Sequence, residues 1–192
     1  MSIFSFFSAK RKLRAAKNST PQMIYGYNQN GEFLKDTRIG SATSIVGEDG
    51  LKLGDNVFIG QFNFIEATNG ITIEEGCQIT NYISIITHSS HIAIRLYGDQ
   101  YRNTTNPVAY NTGTVEIGKY TFVGPHVTIM PETKIGKGSI IASHSMVKGE
   151  FPDFSIIAGT PAKVIGDTRE MDAQFLEAHP ALRTNYDNWA KK

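Results

Sequence analysis

The chain has 192 residues, 40% of them hydrophobic, with a formal net charge of +1 and one cysteine, Cys77. That length suits a single domain with a sizeable core, and the near-neutral charge argues against a nucleic-acid partner, which calls for a clearly basic surface. A lone cysteine forms no internal disulfide, so nothing points to an oxidising compartment, and with no run of 18 apolar residues no membrane-spanning helix is expected.

At the N-terminus, Ile3, Phe4, Phe6 and Phe7 precede Lys10, Arg11, Lys12, Arg14 and Lys17. A secretory signal has the reverse order, so the segment is not read as one. Two readings of residues 1–17 stand: a short helix packed on the subunit or a neighbour, and a basic amphipathic helix resting on a membrane surface. Residues 1–38 as a whole are expected to cap one end of the domain that follows.

From Ile39 onward, aliphatic residues recur every sixth position. The runs are Ile39, Ile45, Leu51; Leu53, Ile59, Ile65, Ile71; Ile73, Ile79, Ile85; and Ile117, Val123, Ile129, Ile135, Ile141, Val147. Four places after the aliphatic residue stands a small or β-branched one, as at Thr43, Val57, Cys77, Thr121, Val127, Thr133, Ser139 and Ser145. A period of six is neither helical nor simple strand alternation. It suits three short strands per turn, stacked in parallel as a triangular solenoid. Each aliphatic side chain points inward, the small residue fills the corner, and a following glycine permits the sharp turn. The predicted fold is all-β, a parallel β-helix over residues 39–166.

Phase slips locate the irregularities. Gly50-Leu51-Lys52-Leu53 and Gly70-Ile71-Thr72-Ile73 read as one corner of successive coils that carry two extra residues. Gly113-Thr114-Val115-Glu116-Ile117 reads as the same corner one coil later, after a segment with no hexapeptide phase. Residues 88–112 are therefore an extended loop thrown out of that corner, and loops of such length in compact proteins are usually functional. Beyond the solenoid, Asp167 or Thr168 caps a helix running to about Ala178, ended by His179-Pro180, with Met171, Phe175 and Leu176 as its apolar face. Residues 167–192 are expected to cover the other open end.

Ile117-Gly118, Phe122-Val123-Gly124, Ile129-Met130-Pro131, Ile135-Gly136, Ile141-Ala142 and Val147-Lys148, followed by Ala158-Gly159-Thr160-Pro161-Ala162-Lys163-Val164-Ile165, resemble the hexapeptide-repeat acyltransferases. Within that family the likeness is to sugar and polysaccharide O-acetyltransferases, the maltose and galactoside acetyltransferases among them. It covers about residues 39–166. It departs at Phe122-Val123-Gly124, where the family usually has Trp-Ile-Gly, and at Val147-Lys148-Gly149, where it often has Thr-Lys-Asp.

The resemblance implies a left-handed β-helix assembled as a homotrimer, with sites between subunits and with acetyl-CoA as co-substrate. It implies a general-base His at the start of the extended loop, a role suited to a group titrating near neutrality. Thr87-His88-Ser89-Ser90-His91 offers two candidates. His88 is the better base because it follows a strand directly, and His91 is read as an acceptor contact or as plain loop. Asn63 is either an acceptor or acetyl contact or a structural amide at a corner. Arg95, Tyr97, Tyr101, Arg102 and Tyr110 either meet a sugar or pack the loop down. Coenzyme A is expected along a groove between solenoids. Backbone near Gly124, Ala142 and Ser143 would meet the pantetheine arm, Lys148 and Lys163 its phosphates, and Thr160-Pro161 would shape the turn near the adenine; each lysine reads alternatively as a solvated charge.

What orients His88 stays open at this stage. Glu48, Thr68 and His88 share a corner of successive coils, either as a hydrogen-bond chain or as a solvated polar ladder. Cys77 falls at an inward position and is not expected to be a nucleophile. His126 and His144 stack on one outer face, but the ligand spacing of the β-helical carbonic anhydrases is not reproduced, and no metal is expected. The function these readings imply is acetyl transfer to a sugar hydroxyl in surface-polysaccharide synthesis. The expected setting is the cytoplasm, with residues 1–17 as a peripheral membrane contact in one of their two readings. The rivals are N-acetylation of an amino-sugar nucleotide, a metal-dependent carbonic-anhydrase-like activity, and a non-catalytic trimer.

Overall fold

A computed structural model describes residues 20–191. The hexapeptide phase becomes three flat faces, each a ladder of short parallel strands. On the first face Ile39, Ile59, Ile79, Val123, Ile141 and Ile157 lie one above another. On the second, Ile45, Ile65, Ile85, Ile129 and Val147 do the same. The third stacks Leu51, Ile71, Val115 and Thr133, and beside them Leu53, Ile73, Ile117 and Ile135. All of these but Ile45 are buried, and together they form one continuous core. These stacked aliphatic side chains are the main source of stability, since each buried one is worth about 1.5–3 kcal/mol of transfer free energy.

The small residues fill the corners as expected, with a reason beyond size. Their hydroxyls satisfy backbone carbonyls that the sharp turn leaves unpaired. Thr43 Oγ1 donates to Gly60 O at 2.7 Å, Ser139 Oγ to Gly136 O at 2.8 Å and Ser145 Oγ to Ala142 O at 2.7 Å. The glycines hold the coils close: a Cβ on Gly118 would stand 2.5 Å from Lys137 N, and one on Gly50 2.0 Å from Ala67 O. The two extra residues of the early coils sit at the corner between the second and third faces, where Gly50 N donates to Gly47 O and Gly70 N to Ala67 O, both at 2.9 Å.

Both ends of the solenoid are closed by antiparallel strands. At the N-terminal end, Met23–Gln29 pairs with Glu32–Gly40 as a hairpin. Its Gln29 side chain bonds both the N–H and the C=O of Leu53, which blunts the first exposed edge. The N-terminal helix expected over residues 1–17 lies outside the described residues. At the C-terminal end, Ala162–Asp167 turns back along Ser155–Gly159.

The helix Thr168–Ala178 forms as predicted, with the Asp167 side chain accepting from Arg169 N at 2.8 Å. Its apolar face differs from expectation. Leu176 and Thr168 are buried, whereas Met171 and Phe175 are exposed. The reason is that the helix leans on the flank of the solenoid: Thr168 donates to the carbonyls of Phe154 and Gly138, both at 2.8 Å. The last helix, Arg183–Ala190, lays Trp189 against Tyr120 and Phe154 at centroid distances of 4.7 and 5.9 Å. Among the described residues no helix is long and apolar enough to cross a membrane.

Candidate active site

The extended loop leaves the solenoid at the corner between the second and third faces. Its base is zipped: His88–Ser89 pairs antiparallel with Asn111–Thr112. The loop is not structureless. It folds into a short helix, Ala93–Tyr97, and a 3-10 segment, Gly98–Asn103, with Ala93 fully buried as the anchor. The zipped base explains how a long loop holds its first residue still: His88 is an element of paired backbone and the residue after a buried Thr87.

One coil below, Val46, Glu66 and Ile86 occupy the same outward column of the second face. Glu66 is a carboxylate between two aliphatic neighbours, and it is only 4% exposed. Its Oε1 accepts from Thr68 N at 3.0 Å. Its Oε2 accepts from Thr87 N at 3.0 Å and Thr87 Oγ1 at 2.7 Å, and stands 2.8 Å from His88 Nδ1. Burial by itself would raise the carboxyl pKa. The hydrogen bonds from Thr68 and Thr87 outweigh it and bring the pKa down to about 2. Glu66 is therefore ionised at neutral pH and can only accept.

That fixes the tautomer of His88. Facing a carboxylate, Nδ1 carries the hydrogen, and in the neutral imidazole Nε2 keeps a free lone pair. The imidazole is about one-third exposed, so the basic nitrogen can be reached. The ring of Tyr110, returning at the far end of the loop, stacks on it at 5.5 Å between centroids and 16° between planes. A proton acceptor held by a buried anion is the arrangement a general base needs.

A hydrogen-bond chain through Glu48 and Thr68 is not what orients His88. Glu48 accepts from the Tyr27 hydroxyl at 2.6 Å, and Thr68 gives its backbone N–H to Glu66. The orienting residue is Glu66, which hexapeptide phasing assigns to an outward, solvent-facing position. The signal was present nonetheless: an acidic residue inside Phe64-Ile65-Glu66-Ala67, one coil below Ile86.

The other expected site residues distribute as follows. His91 is exposed, its Nδ1 2.8 Å from Ser89 Oγ, and its carbonyl accepts from Arg95. Tyr97 accepts from Val108 N at 2.9 Å, which ties the outgoing and returning limbs of the loop. Asn63 is buried with both ends of its amide engaged by backbone, Nδ2 donating to Thr80 O and Oδ1 accepting from Ile83 N, both at 2.8 Å.

Gly124, Ala142 and Ser143 stack along the corner between the first and second faces, and Gly124 is required there because a Cβ would stand 2.8 Å from Ile141 O and Ser143 N. Thr160 joins this corner by donating to His144 O at 3.2 Å, and Lys163 lies opposite Ala158 on the closing strand. Lys148 is apart from them. It lies beyond Val147, toward the loop corner, with its ammonium 3.6 Å from Glu132.

The same corner carries a column of stacked rings. Phe62, Tyr82, His126 and His144 follow at 5.2, 5.0 and 4.8 Å, each at the left-handed turn position of its coil, with φ between 60° and 62°. Among the described residues no three His, Cys, Asp or Glu side chains gather as metal ligands. Cys77 is fully buried, its thiol 3.1 Å from Gly118 O, and burial pushes its pKa up to about 12.

Residues 114–149 match the family model described as bacterial transferase hexapeptide (six repeats). Over 130 residues the chain is 28% identical to the putative lipopolysaccharide biosynthesis O-acetyl transferase WbbJ of Escherichia coli K12, covering 66% of this chain and 65% of that one. Over 162 residues it is 30% identical to a dTDP-4-amino-4,6-dideoxy-D-glucose acyltransferase of Escherichia coli, covering 74% of this chain and 83% of the relative. The chain thus spans just under two thirds of the first relative and most of the second. Among solved structures, galactoside acetyltransferase in complex with coenzyme A superposes with a TM-score of 0.59 at 21% identity, covering 68% of this chain and 62% of that one, and it shares the left-handed β-helix. The chain belongs to the hexapeptide-repeat acyltransferase family.

Proposed function

We propose that the chain is an acetyl-CoA-dependent O-acetyltransferase acting on a sugar hydroxyl in surface-polysaccharide synthesis. The observation that carries this reading is His88, whose Nδ1 faces the buried Glu66 carboxylate at 2.8 Å and whose Nε2 is thereby left as a base. In the reaction, Nε2 takes the proton of the acceptor hydroxyl as its oxygen attacks the thioester carbonyl. The C–S bond then breaks, and the departing thiolate of coenzyme A recovers that proton from the imidazolium. The thioester is already activated, so direct transfer needs no covalent enzyme intermediate. Cys77, buried and un-ionised, has no part in it.

Coenzyme A fits best along the corner of Gly124, Ala142, Ser143 and Thr160, with Lys163 toward its phosphates. Lys148 is proposed nearer the thioester end, since it lies on the loop side of the second face. His91, Arg95 and Tyr97 are proposed around the acceptor. Asn63 is left out of that set, because its amide is used by Thr80 and Ile83.

The proposed assembly is a homotrimer. The surface supports it: Phe62, Phe64, Tyr82, Phe122 and Met146 are exposed around the aromatic column, whereas the third face presents Lys52, Glu116, Lys134 and Glu150. Contiguous apolar surface of this kind marks a contact site. The proposed setting is the cytoplasm, with residues 1–17 either packed on the subunit or a neighbour or resting on a membrane surface.

One specific likeness favours a second reading, N-acylation of an amino sugar, because the relative covered over 83% of its length is named for a 4-amino sugar nucleotide. Product linkage separates the two: mild base cleaves an ester and leaves an amide. The first experiment is calorimetric titration with acetyl-CoA. Saturable binding near one site per chain supports the donor assignment and leads to a screen of sugar acceptors. A folded trimer that shows no binding at millimolar donor overturns the proposal.

A further inference from the structure

A single hydrogen bond does not fix an imidazole. With Nδ1 held by Glu66, the ring is still free to swing about the Nδ1···Oε2 line, and Nε2 sweeps an arc with it. The second constraint has to act on the face of the ring, and the Tyr110 ring meets that face, stacked at 5.5 Å and 16°.

Tyr110 is not there by loose loop geometry. It immediately precedes Asn111–Thr112, the strand zipped to His88–Ser89, so two backbone pairings set its distance from His88. Its own N–H donates to Pro107 O at 3.3 Å, and Val108 beside it is held by the Tyr97 hydroxyl. The loop therefore carries the base at its first residue and brings a ring back over it at its last turn.

Resting on His88 as the base, we propose that Tyr110 is a positioning residue whose ring fixes the plane of the His88 imidazole and stabilises the imidazolium formed when His88 takes the acceptor's proton. The neutral imidazole gains little from the face of a phenol ring, whereas the cation is attracted to it. The interaction is thus stronger after proton transfer than before, which is the property that lowers a barrier. The phenol itself stays neutral where a His titrates, because burial and the nearby Tyr101 and Glu66 raise its pKa.

The other charged and titratable groups around the hairpin are few. Glu66 lies below. Glu132 lies over Gly113, neutralised by Lys148 at 3.6 Å. On the loop, His91 bonds Ser89 Oγ and Arg95 bonds the His91 carbonyl. Tyr101 and Glu66 also face the Tyr110 phenol, so Tyr110→Phe, which keeps the ring and drops the hydroxyl, is the control that isolates the face contact.

The test compares Tyr110→Phe with Tyr110→Leu in the full chain, reading the His88 titration by NMR together with kcat and KM. Removing the ring destabilises the cation, so Leu is expected to lower the His88 pKa by about half a unit. It should lower kcat ~10-fold while leaving KM for acetyl-CoA within about twofold. Phe keeps the ring and should match the parent in both. If Leu fails to fold, Tyr110→Met carries the same comparison. An unmoved His88 titration in the ring-less variant overturns the proposal, as does a Phe variant that falls as far as Leu, which would assign the effect to the hydroxyl. A His88→Ala variant with full turnover overturns the base assignment instead, and it is told apart because the titration shift is read without activity.

Discussion

Replacing Glu66 by Gln keeps the shape of the side chain and removes its charge. The carboxylate takes four hydrogen bonds, from Thr68 N, Thr87 N, Thr87 Oγ1 and His88 Nδ1. An amide has one oxygen to offer and must turn its NH2 toward at least one of those donors. The folded protein holds the carboxyl at about 2 against an ordinary 4.5. At 1.36 kcal/mol per unit, the charged form contributes about 3 kcal/mol of stability at neutral pH. Because the folded pKa is the lower one, that contribution is complete above pH 4.5 and is lost as pH falls through 2. About 2 kcal/mol of it is gone by pH 3. Urea unfolding of both proteins at pH 7 and pH 3 measures it: the parent should lose about 2 kcal/mol more than Glu66→Gln between the two. Turnover gives an independent reading. A hydrogen bond to a charged acceptor is worth about 1.5–3 kcal/mol, so thiol release from acetyl-CoA with the best acceptor should slow about 10- to 100-fold, with KM for the donor unchanged. Near-parental turnover in a folded Glu66→Gln, with parallel pH–stability curves, would refute the claim that Glu66 orients the base.

Four further outcomes follow from the geometry. Asn63→Ala should cost about 2–4 kcal/mol in denaturant unfolding by stranding Ile83 N–H and Thr80 C=O, while acceptor KM stays within twofold; a raised KM with unchanged stability would return Asn63 to the acceptor site. Cys77 should resist a thiol-specific disulfide reagent in the native state and react once unfolded, and fast native labelling would contradict its burial. Gly118→Ala should lower stability by about 1–3 kcal/mol, because its Cβ meets Lys137 N and Gly136 C of the next coil, and an unchanged melting temperature would mean the coils can part at no cost. Trp189→Ala should cost about 1–3 kcal/mol by uncovering Tyr120 and Phe154, and no loss would show that the last helix is not docked.

The fold was legible because its rule is local. Every sixth residue faces the core whatever happens elsewhere, so Ile59, Ile79 and Val123 announce their neighbours without knowing them. Even the phase slips at Leu51-Lys52-Leu53 and Ile71-Thr72-Ile73 map onto real strands, and the missing phase after Ile86 maps onto the loop. The same local rule also places His88 at the base of that loop, as a residue held by paired strand. What it cannot supply is the residue that holds the His88 imidazole. Glu66 and His88 are 22 residues apart, and Glu66 lies at a position the hexapeptide phase calls outward. It becomes buried only because the early coils have two extra residues at this corner and the loop leaves there, bringing Thr68, Thr87 and His88 around it.

The aromatic corner has the same character. Phe62, Tyr82, His126 and His144 stand where the period prefers glycine or a polar residue; the spacing links the two histidines, but nothing in residue type joins Phe62 and Tyr82 to them. Each adopts a left-handed backbone conformation that costs a non-glycine residue about 1–2 kcal/mol. Stacking returns about 0.5–1.5 kcal/mol for each of the three ring pairs beyond the area it buries, at most equal to the strain of the four residues, so the column adds no net stability to one chain. A column that adds nothing to the subunit's stability yet leaves Phe62 and Tyr82 half-exposed fits selection for what lies against it better than selection for the fold. A double replacement should act asymmetrically on the chain and on the assembly. Phe62→Gly with Tyr82→Gly relieves two strained positions as it removes two ring pairs, so it should leave the isolated chain's unfolding midpoint within a few degrees, yet shift the sedimentation profile from trimer toward monomer. A trimer that survives the pair would move the proposed interface to another face.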